Sequence, residues 1–348
     1  MADVKRFRAL RYDERRAGPL ASLVAPPYDV ISAADRERYL TRSPYNIVRL
    51  TLPDDEAKAA DLLGEWREEG VLVRDEEPAL WWLAQDYVGP DKVPRRRDGL
   101  VVALRAEPYE SGRIRPHERT YAGPKEGRLR LLRALRTHVE PIFLLYPGSL
   151  TPPSGEPTLD VELDGVRSRL WRLDGDMPEL GEAELLIADG HHRYETSLAF
   201  HEEDGTEESA WLLAVLVPTE QKGLTIFPTH RIATRTKPLP PLEPHPDGDD
   251  RALAEVYTRG GSGYLYGERG ELDTELVARF APEVRYTPSA DEARAAVDSG
   301  EAEAAFLLRP PTVEQVAAVA EAGRTMPQKS TFFYPKLTSG LLLLPIDP

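Results

Sequence analysis

The sequence predicts an α/β (α+β) protein in which a mixed-sheet core carries an N-terminal extension and is followed by a separate C-terminal α/β domain. At residues 184–200 a short apolar segment, a sharp turn and an amphipathic segment follow one another, as in a strand–turn–helix unit. Strand-like and helix-like segments alternate on both sides of this unit. A proline-rich stretch at residues 237–248 then separates residues 249–348 from the rest, which predicts a stiff linker.

Composition restricts the class of protein. At 348 residues the chain is long enough for two or three domains with their own cores. A net charge of −15 argues against nucleic-acid binding, because phosphate contacts need clustered Lys and Arg. The basic run at residues 95–97 follows Gly89 and Pro90 and is typical of a solvated hairpin tip. The chain has no cysteine, which excludes disulfides, thiolate nucleophiles and iron–sulfur clusters.

No apolar stretch approaches the length of a membrane span, and residues 1–5 lack the apolar region of a signal peptide. We therefore expect a cytoplasmic protein without a membrane partner. The sequence is compatible with an oligomer.

The predicted N-terminal segment, residues 1–98, packs on the core and contains short strands and helices. Paired prolines keep residues 24–31 extended, since proline fixes φ and restricts the residue before it. The remaining elements are, in order, a helix at residues 33–40 capped by Ser32, a strand at 46–50, a helix at 54–69 ended by Gly70, and the first strand of a hairpin at 79–83.

The predicted core, residues 99–236, is a mixed sheet with two helices. Leucines at 129, 132 and 135 give its first helix a clear apolar stripe. The expected elements are, in order, the second hairpin strand at residues 100–104, a helix at 125–138, a strand at 141–145, two polar strands after a linker at 147–157, the strand at 184–188, its following helix, and strands at 211–217 and 224–227.

The predicted C-terminal domain occupies residues 249–348. A glycine-rich segment at residues 260–263 is not expected to bind phosphate, because it lies between a predicted helix and a strand, the wrong order for a dinucleotide fold. Residues 326–336 fit neither helix nor strand. The expected elements are a helix at residues 251–258, a strand at 264–266, a helix at 291–297, a strand at 304–308 and a helix at 313–322.

The strongest functional pattern is the turn at residues 189–193, Asp-Gly-His-His-Arg. Gly190 permits a sharp strand-to-helix turn, after which the first amides of the helix point outward. These amides, with His191, His192 and Arg193, form a site suited to a phosphate or carboxylate. The alternative is an ordinary Asp-Gly turn whose histidines are merely hydrogen-bonded, but two adjacent histidines followed by arginine favour binding or catalysis.

A transition-metal site built from Asp189, His191, His192 and His230 is a further alternative for this pattern. We expect no stable site of this kind, because adjacent histidines seldom bind one ion together.

A second pattern is His117-Glu118, which lies between a predicted strand and the helix at 125–138. Glu118 could act as a general base or contact Mg²⁺, or it could simply pair with Arg115 or Arg119. Lys329, Ser330 and Thr331 could return to a phosphate site, and a charged cap over the edge of a core is the alternative.

Three motifs together resemble one family. Residues 25–32 (APPYDVIS), 188–196 (ADGHHRYET) and 326–336 (MPQKSTFFYPK) are similar to the motifs of domain-of-unknown-function family 1015, and they occur in the expected order. Within residues 100–235, the 189–193 turn also resembles that of the ADP-dependent free-serine kinases, which have a ParB/sulfiredoxin-like fold. The resemblance therefore implies a ParB/sulfiredoxin-like mixed-sheet core.

The kinase resemblance also implies roles for individual residues. Pro116-His117-Glu118 looks like the kinase segment that carries the catalytic glutamate, so Glu118 would be the base. The nucleotide phosphates would lie on the 189–193 turn, with Asp189 and His191 as catalytic candidates. Cofactor contacts are expected from Gly190, His191, His192, Arg193, His117, Thr120, Lys329, Ser330 and Thr331.

Composition tests the other activities known on this fold. Sulfiredoxin chemistry needs a cysteine, which this chain lacks, and a ParB-type DNA clamp needs a basic module. A nucleotide-dependent small-molecule kinase passes both tests.

The sequence therefore predicts a phosphotransferase that uses ADP or ATP with Mg²⁺, the ion being near Glu118 and Asp189, on a small hydroxyl-bearing metabolite such as a free amino acid. A non-catalytic nucleotide-binding or sensing protein is the alternative. The kinase hypothesis places the Glu118 carboxylate about 6–12 Å from the region of Arg193, across an accessible cleft that the 329–331 loop helps to wall.

Overall fold

The structure is a computed structural model and describes residues 2–118, 120, 122–175, 184–244 and 251–347. The chain forms two compact units. The first contains Met1–Pro116, Thr120–Leu224 and Pro335–Pro348, and the second contains His117–Arg119 and Thr225–Tyr334. Both units combine helices with a β-sheet, which confirms the predicted α/β (α+β) class. Within the described ranges, no helix is long and apolar enough to cross a membrane.

Strands occur along almost the whole chain. Among the described residues they are β1 (Val4–Lys5), β2 (Leu10–Tyr12), β3 (Leu72–Arg74), β4 (Leu80–Val88), β5 (Pro94–Arg105), β6 (Ile114–Arg115), β7 (Thr137–His138), β8 (Ile142–Tyr146), β9 (Leu159–Leu163), β10 (Val166–Leu173), β11 (Leu185–Asp189), β12 (Trp211–Pro218), β13 (Thr225–Phe227), β14 (His230–Ala233), β15 (Arg251–Thr258), β16 (Gly261–Arg269), β17 (Arg285–Thr287), β18 (Ala304–Leu308), β19 (Phe332–Tyr334) and β20 (Leu344–Pro345).

The α-helices lie between these strands. In the same described ranges they are α1 (Glu14–Ala17), α2 (Ala33–Arg42), α3 (Val48–Thr51), α4 (Glu56–Glu68), α5 (Ala122–Leu135), α6 (His191–Asp204), α7 (Asp273–Phe280), α8 (Ala290–Asp298) and α9 (Val313–Glu321). Short 3₁₀ turns occur at Leu20–Ser22, Tyr28–Val30, Tyr109–Ser111 and Glu208–Ala210.

The first unit is built on a mixed nine-stranded sheet whose main order is β6-β11-β8-β12-β5-β4-β10-β9, with β1 paired to β5. Strand β8 runs parallel to β12 and antiparallel to β11. All residues of β8 are buried, so this strand is apolar throughout rather than alternating. Tyr194 and Leu198 of α6 pack on the sheet together with Ile142 and Ile187. This packing places the start of α6 beside the start of β8.

The predicted leucine stripe of α5 is confirmed. Leu129 and Leu132 pack with Phe200 of α6 and with Ile346 near the end of the chain. The helix begins earlier than predicted and ends at Leu135, after which Thr137 and His138 pair with β20.

The second unit contains a five-stranded sheet in the order β16-β15-β18-β14-β17, with apolar clusters on both faces. Leu276 and Val277 of α7 pack with Phe306. Ala293 and Val297 of α8 pack with Ile232. Strands β13 and β19 form a small separate sheet.

Three predicted helices or strands are wrong, and residues 332–334, which were expected to be neither helix nor strand, form strand β19. Residues 46–50 lead into helix α3 instead of forming a strand, and the Asn46 side chain accepts from the Val48 N–H at 3.0 Å. Residues 251–258 form strand β15 rather than a helix, because pairing with β16 on one side and β18 on the other satisfies their backbone. Residues 224–227 do not join the large sheet, since β13 pairs with β19.

The predicted domain boundaries differ from the two units. The boundary between residues 98 and 99 falls inside β5, whose partner β4 lies on the other side of it. The proline-rich stretch at 237–248 is described only to residue 244, so its last residues lie outside the described part of the chain.

Candidate functional site

The turn at residues 189–193 connects β11 to α6 through Gly190, which has φ +95°. A Cβ atom at this position would lie 2.8 Å from the Ile142 Cγ2, so only glycine fits. No side chain caps the start of α6, and no acidic residue lies in its first turn. The positive end of the helix dipole therefore has no carboxylate from that turn to offset it.

The Asp189 carboxylate lies between two cations. Its Oδ2 accepts from the Arg193 Nη2 at 2.7 Å, and its Oδ1 accepts from the Lys336 Nζ. Arg193 also donates to the Pro141 carbonyl. The three side chains are only 10–16% exposed. Two buried cations thus share one carboxylate beside the start of α6.

Both cations keep their charge. Burial by itself would lower the pKa of Arg193, but the charges of Asp189, Glu140 and Asp29 outweigh burial and raise that pKa. Burial would likewise lower the pKa of Lys336, and the charges of Asp189 and Asp29 again raise it. Both side chains therefore remain cationic next to the turn.

A further buried cation, Arg97, was missed by the sequence analysis, which placed residues 95–97 in a solvated hairpin tip. Its side chain is fully buried, donates to the Gln85 side chain and to the Pro335 carbonyl at 2.6 Å, and lies over the Phe143 ring. Burial lowers the pKa of Arg97 to about 10. Because Arg97 holds the carbonyl next to Lys336, it fixes the segment from which Lys336 reaches Asp189.

The motif at residues 25–32 also meets the turn region. The Tyr28 N–H donates to the Glu140 Oε1 at 2.8 Å, and the Ser339 hydroxyl donates to the same oxygen at 3.1 Å. Glu140 precedes Pro141, whose carbonyl binds Arg193. Arg128 lies 4.1 Å over the Tyr28 ring. The first and second motifs, and Lys336 at the end of the third, therefore converge within one unit.

Thr120, a predicted cofactor contact, lies against the second turn of α6. Its hydroxyl donates to the Glu195 carboxylate at 2.8 Å, and the Lys125 Nζ lies 3.0 Å from the same group. Glu195 and Lys125 were not predicted, although Glu195 belongs to the quoted motif. This cluster joins the beginnings of α5 and α6.

The second unit contains His117 and Glu118. The Met326 N–H donates to the His117 carbonyl at 2.7 Å, and Glu118 forms an isolated parallel bridge with Met326. The buried His117 ring bonds the Thr331 hydroxyl at 2.9 Å. Within the second unit, the 326–331 segment therefore contacts His117 and Glu118.

The other two residues of the predicted 329–331 loop differ in their surroundings. Lys329 has a positive φ of +55°, and its carbonyl accepts from the buried Arg231 at 2.9 Å. Burial lowers the pKa of Arg231 to about 10. Ser330 is buried and donates to the Thr274 hydroxyl at 3.1 Å, which indicates a structural role in this unit.

The predicted site residues thus fall into two groups. Asp189, Gly190, His191, His192 and Arg193 lie together in the first unit, where His191 is buried and His192 half-buried. The residues of the second unit are His117, Glu118, Lys329, Ser330 and Thr331. The expected 6–12 Å separation of Glu118 and Arg193 stays a prediction.

Two alternatives from the sequence can be examined directly. Arg115, one proposed partner of Glu118, pairs with Glu184 at 2.7 Å, and Arg119 lies outside the described residues. His230 lies in the second unit, where its Nδ1 accepts from the Leu308 N–H at 3.1 Å. Across the described ranges, no group of three or more His, Cys, Asp or Glu side chains could hold a metal ion.

A cavity beneath α6 is lined by Arg193, His138 and Glu140 together with apolar residues of α5. Its volume of about 50 Å³ has room for water but not for a nucleotide. A nucleotide at this turn would therefore have to bind outside this cavity.

Comparison with known proteins identifies the family. A family model described as "Protein of unknown function (DUF1015)" matches residues 4–243. No curated protein matches the chain.

Several solved structures are distantly similar. A conserved hypothetical protein from Pyrococcus furiosus is 14% identical over 70% of this chain and 95% of its own, with a TM-score of 0.39. A free serine kinase in complex with AMP is 14% identical over 70% and 92%, with a TM-score of 0.41. The C-terminally truncated SbnI from Staphylococcus aureus is 13% identical over 71% and 87%, with a TM-score of 0.44. These similarities are too distant to carry a functional conclusion. The family match covers well over half of the sequence, and the chain therefore belongs to the DUF1015 family.

Proposed function

We propose that the 189–193 turn binds the phosphates of ADP or ATP, and that the protein transfers a phosphoryl group to a small hydroxyl-bearing metabolite such as a free amino acid. One observation carries this proposal. Helix α6 begins directly after a left-handed glycine, has no acidic residue in its first turn, and has two buried cations beside it. Helix starts of this kind are suited to phosphate groups.

The charged side chains of the turn would position the phosphate site rather than coordinate the phosphates themselves. Arg193 donates to Asp189 and to the Pro141 carbonyl, and Lys336 donates to Asp189. These contacts fix the position of the turn. The main-chain amides at His191 and His192 would then face the phosphate oxygens. A preformed arrangement of this type needs little reorganisation when the anion binds.

Mg²⁺ normally accompanies nucleoside phosphates, but the residues at this turn do not fit it. Both Asp189 oxygens accept from cations, which would repel a metal ion. The described part of the chain also offers no cluster of metal-binding side chains. We therefore assign no step to Mg²⁺ at Asp189; an ion would have to be held mainly by the nucleotide.

Glu118 is the proposed general base. It would accept the proton of the acceptor hydroxyl while that oxygen forms a bond to the terminal phosphorus. The bond between this phosphorus and the bridging oxygen breaks, and the shortened nucleotide leaves with the electron pair. Pairing of its main chain with Met326 supports this role, because the carboxylate is then presented from a fixed backbone.

Nucleotide binding is tested first, by thermal shift and calorimetry with ADP, ATP and AMP, each with and without Mg²⁺. We expect ADP or ATP to raise the melting temperature and adenosine, which lacks phosphate, to have no effect. Absence of any nucleotide-dependent shift would end the proposal.

Transfer is tested next, with pooled hydroxyl-bearing metabolites and a phosphorylated-product assay. Glu118→Gln should lower turnover by about 100-fold or more while nucleotide affinity stays near that of the wild type. Glu283→Gln, an exposed carboxylate of the same unit, serves as the matched control and should leave turnover unchanged. Nucleotide binding without transfer to any acceptor would instead support the alternative of a sensing protein.

A further inference from the structure

A second cavity lies wholly within the second unit, and the proposed phosphoryl transfer does not use it. Its volume is about 500 Å³, within the range of small-molecule sites. The segment leading into α7, the loop from β18 into α9, and one face of α9 form its walls. Pro310, Pro311 and Ala318 give it an apolar surface.

The carboxylates around this cavity already have partners within the unit. Asp273 accepts from the Leu253 N–H at 2.8 Å and from two nitrogens of Arg309 at 2.8 and 2.9 Å. Glu271 accepts from the Glu268 N–H at 2.9 Å and from Arg279 at 3.0 Å. Glu275, which follows the lining residue Thr274, accepts from Arg324 at 2.7 Å. These acids therefore have little capacity left to bind a cationic ligand.

The two arginines of the cavity wall, in contrast to these acids, still have nitrogen donors that can bind a ligand. Among the described residues, the Arg324 side chain makes one hydrogen bond, from its Nη2 to Glu275, so its Nε and Nη1 groups have no protein acceptor. Arg309 donates to Asp273 and to the Arg251 carbonyl through its Nε and Nη2. Its Nη1 has no acceptor among the described residues. Their side chains are 56% and 48% exposed, so both can meet a ligand.

We propose that this cavity binds a small organic acid. The carboxylate would accept from the remaining donors of Arg324 and Arg309, because a guanidinium matches a carboxylate geometrically and in charge. The apolar body of the acid would lie against Pro310, Pro311 and Ala318. The paired acids of the wall disfavour a cationic ligand, and the apolar surface favours an organic acid over inorganic phosphate.

Met326 connects this site to another part of the unit. It lines the cavity, and its N–H donates to the His117 carbonyl at 2.7 Å. Occupancy should therefore slow hydrogen exchange in residues 324–331, which gives a readout independent of enzymatic activity.

The test is calorimetric titration of the full chain with the sodium salts of succinate, glutamate and phenylacetate at constant ionic strength, with inorganic phosphate as the comparison. At least one carboxylate should bind with a Kd of about 1 mM or tighter. Arg324→Gln should weaken binding about tenfold or more, and Ala318→Trp, an exposed cavity-lining position, should block it.

Arg285→Gln is the matched control, since this arginine is 46% exposed in the same unit but does not line the cavity. Its affinity for the acid should equal that of the wild type. The proposal fails if no carboxylate binds, if phosphate binds in their place, or if Arg324→Gln and Ala318→Trp both leave affinity unchanged. Nucleotide affinity of the same variants, measured in parallel, should not change, so this site and the proposed phosphate turn are tested separately.

Discussion

The 189–193 turn of the first unit and the His117–Glu118 segment of the second are held by different kinds of interaction. At the turn, side-chain charges provide the contacts: Asp189 binds Arg193 and Lys336, all largely buried. In the second unit the backbone of His117 and Glu118 pairs with Met326, and the His117 ring bonds the neutral Thr331.

This difference predicts different responses to substitution. A buried ion pair loses much stability when one partner is removed, because the remaining charge has no counterion. A main-chain pairing survives a change of side chain. The 189–193 turn should therefore depend strongly on its charged residues, whereas Glu118 should be replaceable at little structural cost.

The largest effect is expected for Asp189→Asn. This variant leaves Arg193 and Lys336 buried without their shared anion, so the free energy of unfolding should fall by about 3–5 kcal/mol. Urea denaturation at neutral pH measures the change.

Asp160→Asn is the matched control for this prediction. Asp160 pairs with Arg167 near the surface at 2.6 Å, and such pairs are worth less than about 1 kcal/mol. If both variants lose equally little stability, the turn is not held by its charges and the comparison between the two regions breaks down.

The next largest effect is expected for Gly190→Ala. The left-handed backbone costs about 1–2 kcal/mol for a residue with a Cβ, and the contact with Ile142 should add about 1–3 kcal/mol. Denaturant titration again gives the loss of stability, and the variant should also bind nucleotide more weakly.

Gly205→Ala separates the two contributions. Gly205 ends the same helix with φ +69°, but nothing lies within 4 Å of a Cβ placed there. If both variants lose the same free energy of unfolding, the close approach to Ile142 does not contribute to the cost of Gly190→Ala.

The first unit also contains a buried histidine that should make its stability depend on pH. Burial lowers the pKa of His138 from 6.5 to about 4. Because the unfolded state then binds a proton more readily than the folded state, this contribution is present above pH 6.5 and is lost as the pH falls towards 4. Between pH 7 and pH 5 the loss should be about 2 kcal/mol.

His138→Asn isolates this effect, since the variant keeps a polar side chain that does not titrate. The stability difference between wild type and variant should shrink by the same amount over this pH range. A difference that stays constant from pH 7 to pH 5 would show that His138 is not held in its neutral form.

Sequence reasoning worked best where local patterns determine structure. The leucine stripe of α5 and the glycine at residue 190 specify a helix and a turn through backbone geometry and apolar periodicity alone. Strand β15 was missed because its pairing with β16 and β18 is a tertiary effect that overrides helix propensity.

The site partners were harder to predict because they are distant in sequence. Lys336 and Asp189 are separated by 147 residues, and no local pattern indicates their contact. Arg97 lies in a basic run that is normally solvated, and only the fold buries it. The sequence shows the order of the three motifs, but not which of their side chains would meet.

The smallest effect is expected in the second unit, for Thr331→Val. The variant keeps the shape of the side chain and removes the hydroxyl that lies 2.9 Å from the buried His117 Nε2. Loss of one hydrogen bond should lower the free energy of unfolding by about 1 kcal/mol. Denaturation curves at neutral pH give this value.

A double-mutant cycle with His117→Phe shows whether the two side chains act together. If the hydrogen bond is the interaction that couples them, the cycle should give about 1 kcal/mol of coupling, while Thr331→Val alone leaves the Met326 pairing intact. Strictly additive losses would indicate that Thr331 contributes by packing. A loss as large as that of Asp189→Asn would contradict the contrast itself, because His117 would then depend on its side-chain partner as strongly as the turn depends on its charges.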